Sequence, residues 1–117
     1  MDILSDQEVR AVVERLMDAT SAKELEWRTV DDSPYDFMTS IGSSAFFISS
    51  VDRDDAAPFR LDVWVVPEDH QDAVNVASVS TSPGAWNELS TLYGLVKRTV
   101  LRLDEAARKV LRDLGIV

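Results

Sequence analysis

The feature that most limits what this chain can fold into is a change in the spacing of its apolar residues. The repeat runs from about 3.6 residues to 2 and back again. Near the N-terminus, Val9, Val12, Val13, Leu16, Met17 and Thr20 form one stripe of a helix, with Arg10, Glu14, Arg15 and Asp18 opposite. Ser5 stands three residues before Glu8, a reciprocal capping pattern that starts a helix, and the expected end is near Ala22 or Lys23.

From Leu25 onward the residues alternate. Leu25-Glu26-Trp27-Arg28-Thr29 reads as a short strand, the least regular of the set, and Asp31-Asp32-Ser33-Pro34 as a turn. Tyr35, Phe37, Thr39 and Ile41 share one face, and Gly42-Ser43 makes a tight connection to a strand over 45–50. After the polar stretch 52–58, Phe59, Leu61, Val63 and Val65 line one face, with Arg60, Asp62, Trp64 and Val66 on the other. Pro67 ends that strand because it cannot donate to a ladder, and 73–79 is again β-rich. The linkers are too short for parallel crossovers, so the strands should pair antiparallel and in sequence.

Helical spacing returns after Ser82-Pro83-Gly84. Ala85, Leu89, Leu92, Tyr93, Val96 and Val100 form a stripe with Trp86 beside it. Gly94 sits within this helix, where glycine costs up to about 1 kcal/mol, and close approach of another backbone is the expected reason. Asp104 is the expected N-cap of a last helix carrying Ala107, Val110, Leu111 and Leu114, closed by Gly115. The predicted architecture is α+β, α-β(4-5)-α-α, with one antiparallel meander sheet packed against helices. Residues 1–117 are read as a single domain.

Composition narrows the function classes. The 117 residues contain no cysteine, which removes disulfides, thiolate catalysis and cysteine-ligated zinc. The N-terminus lacks a basic and apolar leader, and the longest aliphatic-aromatic run is Val63-Trp64-Val65-Val66, so the expected location is cytoplasmic, with no membrane contact. Net charge is −9, unevenly placed. Residues 1–80 hold 17 acids against 6 bases, a net of −11, and residues 81–117 hold 4 against 6, a net of +2. An acidic body repels phosphate backbones and anionic lipid, and favours either simple solubility or a basic partner surface.

No grouping in the sequence carries chemistry on its own, and the chain reads as non-enzymatic, with no cofactor. His70 is the only histidine, flanked by Glu68, Asp69 and Asp72 in a solvated connection. Asp52, Asp54 and Asp55 begin like a calcium loop, but Ala57 stands where that loop needs glycine and Val63 where it needs glutamate. No serine lies in a Gly-x-Ser-x-Gly elbow, and neither glycine-rich phosphate signature is present. Lys97, Arg98, Arg102, Arg108, Lys109 and Arg112 occupy two helices joined by a short turn. Glu88, Glu105 and Asp113 interrupt this basic set, which argues against a nucleic-acid surface and for a solvent face, or one that pairs with the acidic sheet of a second copy.

The most informative residue is Trp64. If the Phe59 row faces the core, Trp64 and Val66 lie on the other face, with Phe46 and Ile48 or with Phe47. That face is either a binding patch or covered by a helix. The candidate interaction surface is therefore Trp64, Val66, Phe46 and Ile48.

Leu25-Glu26-Trp27, Tyr35-x-Phe37, Arg60-Leu61-Asp62-Val63-Trp64 and Leu92-Tyr93-Gly94-Leu95-Val96-Lys97-Arg98 leading to Leu103-Asp104-Glu105-Ala106 together resemble a small bacterial α+β family with no established activity. The resemblance spans nearly the whole chain and rests on packing residues. It implies the fold and a bacterial source, to which the low lysine content also points, and it implies no activity. Taken together, the sequence points to a protein-interaction module, self-associating or of the acidic inhibitor, immunity or antitoxin kind. The alternative is a small-molecule binder or enzyme with a pocket between sheet and helices, where His70, Tyr35, Tyr93 and the loop acids would converge.

Overall fold

The computed structural model describes residues 3–68 and 72–116. It contains α1 (Asp6–Ser21), five strands, β1 (Arg28–Thr29), β2 (Asp36–Ile41), β3 (Ser44–Ser50), β4 (Phe59–Val65) and β5 (Val74–Ser80), then α2 (Glu88–Val100) and α3 (Leu103–Asp113). The strands form one antiparallel sheet in the order β1-β2-β3-β4-β5, as the short linkers require. β1 is only two residues long, and Trp27 just before it is buried.

Both ends of α1 are fixed by local chemistry. The Glu8 backbone N–H donates to Ser5 Oγ at 3.1 Å, and the Ser5 N–H donates to Glu8 Oε1 at 2.9 Å. The Ser5 backbone N–H, followed by its hydroxyl, holds the Glu8 carboxyl below its ordinary value. At the other end Trp27 Nε1 donates to Thr20 Oγ1 at 2.9 Å, while Thr20 Oγ1 donates to the Leu16 carbonyl at 2.6 Å. An indole is thus buried with its one donor satisfied, which removes the usual penalty for burying it.

One face of the sheet makes the core. The paired rows bring Phe37, Ile48, Leu61 and Val79 side by side across four strands, with Thr39, Phe46, Val63 and Ala77 in the next row. Val9, Val13 and Leu16 of α1 and Leu89, Leu92, Tyr93 and Val96 of α2 belong to the same buried cluster. Each such side chain contributes about 1.5–3 kcal/mol by leaving water. Arg10 ties the helices at their rim: its guanidinium pairs with Glu88 at 2.6 Å and lies 4.6 Å from the centre of the Trp86 ring.

A bulge interrupts the β4–β5 ladder. Val63 pairs with Ala77 but Trp64 pairs with Asn75, so Val76 is the extra residue. The Val76 carbonyl accepts the N–H groups of Ile3 and Leu4, both at 3.0 Å, which anchors the approach to α1 on this irregularity. Asn75 Nδ2 fills the gap by donating toward the carbonyls of Val63 and Ala77, at 3.2 and 3.1 Å.

Two local expectations change. Gly94 lies on the exposed side of α2, and a Cβ added there would meet nothing within 4 Å. No close backbone approach explains the glycine. Asp104 does not cap α3: Arg102, in the left-handed region at φ 52°, takes the N-cap position, and Asp104 pairs instead with Arg98 at 2.6 Å. Gly115 does adopt the left-handed conformation expected after the last turn, at φ 74°.

α3 buries no residue. It continues from α2 across Leu101 and Arg102, and the longest dimension of the molecule is 57 Å. The radius of gyration is 15.8 Å, against about 13 Å for a compact chain of this length.

Two substitutions check this packing by denaturant unfolding. Gly94→Ala should stabilise the protein by about 0.5–1 kcal/mol, since the helix gains propensity with no clash. Leu61→Ala should destabilise it by about 2–5 kcal/mol, because Leu61 is fully buried at the centre of the sheet. A destabilising Gly94→Ala would show that α2 packs against something on its outer side.

Candidate functional site

Among the described residues, no helix packs on the second face of the sheet. Alternation and register place Asp36, Ser49, Arg60 and Ser80 in one row across it, Met38, Phe47, Asp62 and Ser78 in the next, and Ser40, Ala45, Trp64 and Asn75 in the third. Phe47 and Trp64 are half-buried there among their strand neighbours. Together with Val30, Ala45 and Ala73 they line a shallow, mostly apolar groove of about 500 Å³, with Asp36 and Asp62 inside it. Each carboxylate has a cation beside it: Arg53 Nη2 lies 3.6 Å from Asp36, and Arg60 Nε lies 3.0 Å from Asp62. Ser78 Oγ donates to Asp62 Oδ1 at 2.5 Å, so this carboxylate is held in place within the apolar surface.

The four residues singled out from sequence separate. Trp64 is on the helix-free face. Val66, just past the end of β4, is 41% exposed, and its N–H donates to the Ser43 carbonyl at 2.9 Å. Phe46 and Ile48 are buried in the core beneath the helices, at 9% and 0% exposure. Their place beside Trp64 is taken by Phe47, through the pairing of Phe47 with Asp62. Adjacent aromatics at 46 and 47 leave the parity of β3 ambiguous in sequence. The register of the Gly42-Ser43 hairpin, which sets Thr39 opposite Phe46, is the signal that resolves it.

A second cluster forms where the β3–β4 loop meets α2. Tyr93 Oη donates to Asp55 Oδ1 at 2.6 Å, and Lys97 Nζ pairs with the same oxygen. The Lys97 ammonium also lies 5.1 Å from the Tyr35 ring centre and 5.9 Å from that of Tyr93. Tyr93 packs against Phe59 at 4.7 Å and edge-on to Phe37 at 5.8 Å between ring centres. Tyr35 and Tyr93 therefore do converge with a loop acid, whereas His70 lies outside the described residues.

The electrostatics of this cluster suit a clamp. The hydrogen bond from Lys97, then that from Tyr93, lowers the Asp55 pKa. Burial, then the Asp55 carboxylate, raises that of Tyr93. A tyrosine pushed away from ionisation and already donating its proton is poorly placed to act as a base. Asp55, at φ 62°, and Arg53, at φ 56°, hold the left-handed conformation in this loop. The Ser50 hydroxyl accepts the Asp54 N–H at 3.3 Å, which helps to fix the turn. Among the described residues, no three His, Cys, Asp or Glu side chains are grouped to hold a metal ion. No described helix is long and apolar enough to cross a membrane.

Models of known protein families, curated proteins and solved structures were compared with the chain, and none matches.

The clamp has a pH signature. The lowered Asp55 pKa gives stability that is present above its ordinary value of 3.8 and lost as the pH falls through the folded value. The raised Tyr93 pKa gives stability that is present below 10.0 and lost in stronger alkali. Tyr93→Phe keeps the ring packing and removes the hydroxyl. Unfolding near neutral pH should show a loss of about 1 kcal/mol, below the usual value for a charged hydrogen bond because Asp55 is partly solvated. The gap to the parent should shrink as Asp55 protonates. A gap that stays constant into strong acid would mean that the Tyr93 hydroxyl acts through something other than this carboxylate.

Proposed function

We propose that this chain is a protein-interaction module that works through the helix-free face of its sheet. One observation carries the reading: Phe47 and Trp64 lie on adjacent strands on a face that no described element covers, around an Asp62 held by Ser78 and Arg60. Aromatic side chains presented on a rigid sheet lose little conformational entropy on binding and make large contacts, which suits an interface centre. A fixed carboxylate within the apolar patch adds a requirement for a donor or a cation on the partner.

The acidic connections at the ends of the groove extend that requirement. Val30 leads into Asp31 and Asp32, and Ala73 follows Asp72, with Glu68 on the same connection. A partner with an apolar ridge and basic flanks would match both features. An inhibitor, immunity or antitoxin role is one form of this reading, supported by small size and acidity. The bacterial source and the cytoplasmic location belong to the same proposal. The enzyme reading has less support, because the Tyr93-Lys97-Asp55 cluster is closed upon itself and none of its three residues lines the groove.

Quantitative capture with immobilised protein tests the proposal. Trp64→Ala and Phe47→Ser should each reduce recovery of bound protein, including free copies of the chain itself, by at least about tenfold, as expected for residues at an interface centre. Arg15→Ala, on the exposed side of α1, should leave recovery unchanged. Equal capture by all three variants would remove the sheet face as the binding surface.

A further inference from the structure

The C-terminal ends of α1 and α2 meet the start of α3, and the charged residues gathered there are mostly basic. An open cleft of about 630 Å³ lies between Lys23, just after α1, and the first turns of α3, with Arg98 and Arg108 in its wall. A smaller hollow of about 240 Å³ adjoins it, sharing Lys23, Arg98, Asp104 and Glu105 and adding Arg102. Four cations and two carboxylates line the pair, a local net of +2 in a chain whose total is −9. Asp104 is engaged by Arg98 at 2.6 Å, and Lys23, Arg102 and Arg108 form no ion pair among the described residues. Like charges gathered in one cleft raise its potential and concentrate counter-ions within it.

The backbone shows that two of these cations are kept against conformational preference. Each helix is followed by a residue in the left-handed region: Lys23 after α1 at φ 59°, Arg102 after α2 at φ 52° and Gly115 after α3 at φ 74°. Glycine is favoured at that position because it has no Cβ to crowd the following carbonyl. The end of α3, which lines neither opening, uses glycine. The two ends that border the cleft carry a long cationic side chain instead. Cations also complement the negative end of a helix, and that accounts for Lys23, Arg98 and Arg102. It does not account for Arg108, which stands at the middle of α3, beyond the reach of either end.

We propose that this cleft binds a small phosphorylated ligand, with Lys23, Arg102 and Arg108 as the groups that take its phosphate oxygens. Arginine offers paired donors that match a phosphate, and the lysine ammonium adds a compact charge. The rest of the chain sets the size of the ligand. A nucleic acid or an anionic membrane extends past the cleft onto a body of net −11 over residues 1–80 and is repelled. A small anion within a Debye length of the cations, about 8 Å at physiological salt, responds to them first. Ala107 and Leu111 add an apolar wall for the remainder of such a molecule, and the cleft is of small-molecule size. No residue of the cleft lines the sheet groove, so this site is separate from the proposed protein-binding face.

Thermal unfolding of the full-length protein, with pyrophosphate as the probe, tests the site. At ten times its dissociation constant pyrophosphate should raise the midpoint by about 4–8 °C, and sodium chloride of equal ionic strength should not. Lys23→Gly with Arg102→Gly should melt no lower than the parent without the probe, because both positions favour glycine, and should lose the pyrophosphate shift. Arg108→Ala should at least halve that shift. Lys109→Ala removes the same charge from α3 outside the cleft and should keep it. A parent whose midpoint pyrophosphate moves no further than chloride does overturns the inference. So does an equal shift in the parent and the glycine variant, or a loss in Lys109→Ala equal to that in Arg108→Ala, which reflects net charge alone. A glycine variant that melts below the parent means that its two side chains serve the fold. Arg108→Ala then decides, and an undiminished shift in it overturns the inference.

Discussion

The whole structure depends on the sheet having one buried face. Phe37, Ile48, Leu61 and Val79 run across four strands at the same height, and α1 and α2 close over them. Because side chains alternate with a period of 2, putting that row in the core commits every neighbouring residue to the other side. Phe47 and Trp64 are held at the surface by this rule and by no local preference of their own. The aromatic helix-free face is thus a consequence of the core, and a one-residue slip in β3 or β4 would exchange the residues on the two faces.

Two devices keep the register from slipping. The Gly42-Ser43 hairpin fixes β2 against β3, with Gly42 in the left-handed conformation at φ 60° that a two-residue connection requires. The bulge at Val76 fixes β4 against β5 and spends its irregularity usefully, since the Val76 carbonyl receives the chain on its way into α1. The Asp55 contact with Tyr93 and Lys97 then fastens the long β3–β4 loop to α2. Helices, loop and sheet are secured on the core side, and the helix-free face is left with an immobile floor. A rigid floor lowers the entropy lost on binding.

Much of this was legible in the sequence, for identifiable reasons. The capping pair Ser5 and Glu8, the alternation of Phe59, Leu61 and Val63, and the short linkers are local signals, and they give the helix, the strand and the antiparallel order correctly. What failed depended on spatial partners that local sequence patterns do not reveal. Asp104 looks like a cap until Arg98 is seen within reach of it. The sequence alone leaves either Phe46 and Ile48 or Phe47 beside Trp64, because β3 has aromatics on both faces, and only cross-strand pairing tells them apart. Tyr93 and Asp55 are 38 residues apart, and no spacing rule connects them. The exposed stripe of α3 reads in sequence like any core-facing helix, since amphipathicity says that a surface is needed without saying whose.

The central claim is that protein covers the helix-free face, and the indole of Trp64 reports on it directly. Fluorine-labelled tryptophan gives one resonance each for Trp27, Trp64 and Trp86, and the shift between light and heavy water measures the contact of each ring with solvent. Trp27 is buried and serves as the internal reference. As protein recovered by the capture experiment is added, the account predicts that the Trp64 resonance loses its solvent-isotope shift while Trp27 stays unchanged. A Trp64 ring that keeps its full solvent contact in a sample known to be associated would contradict the account.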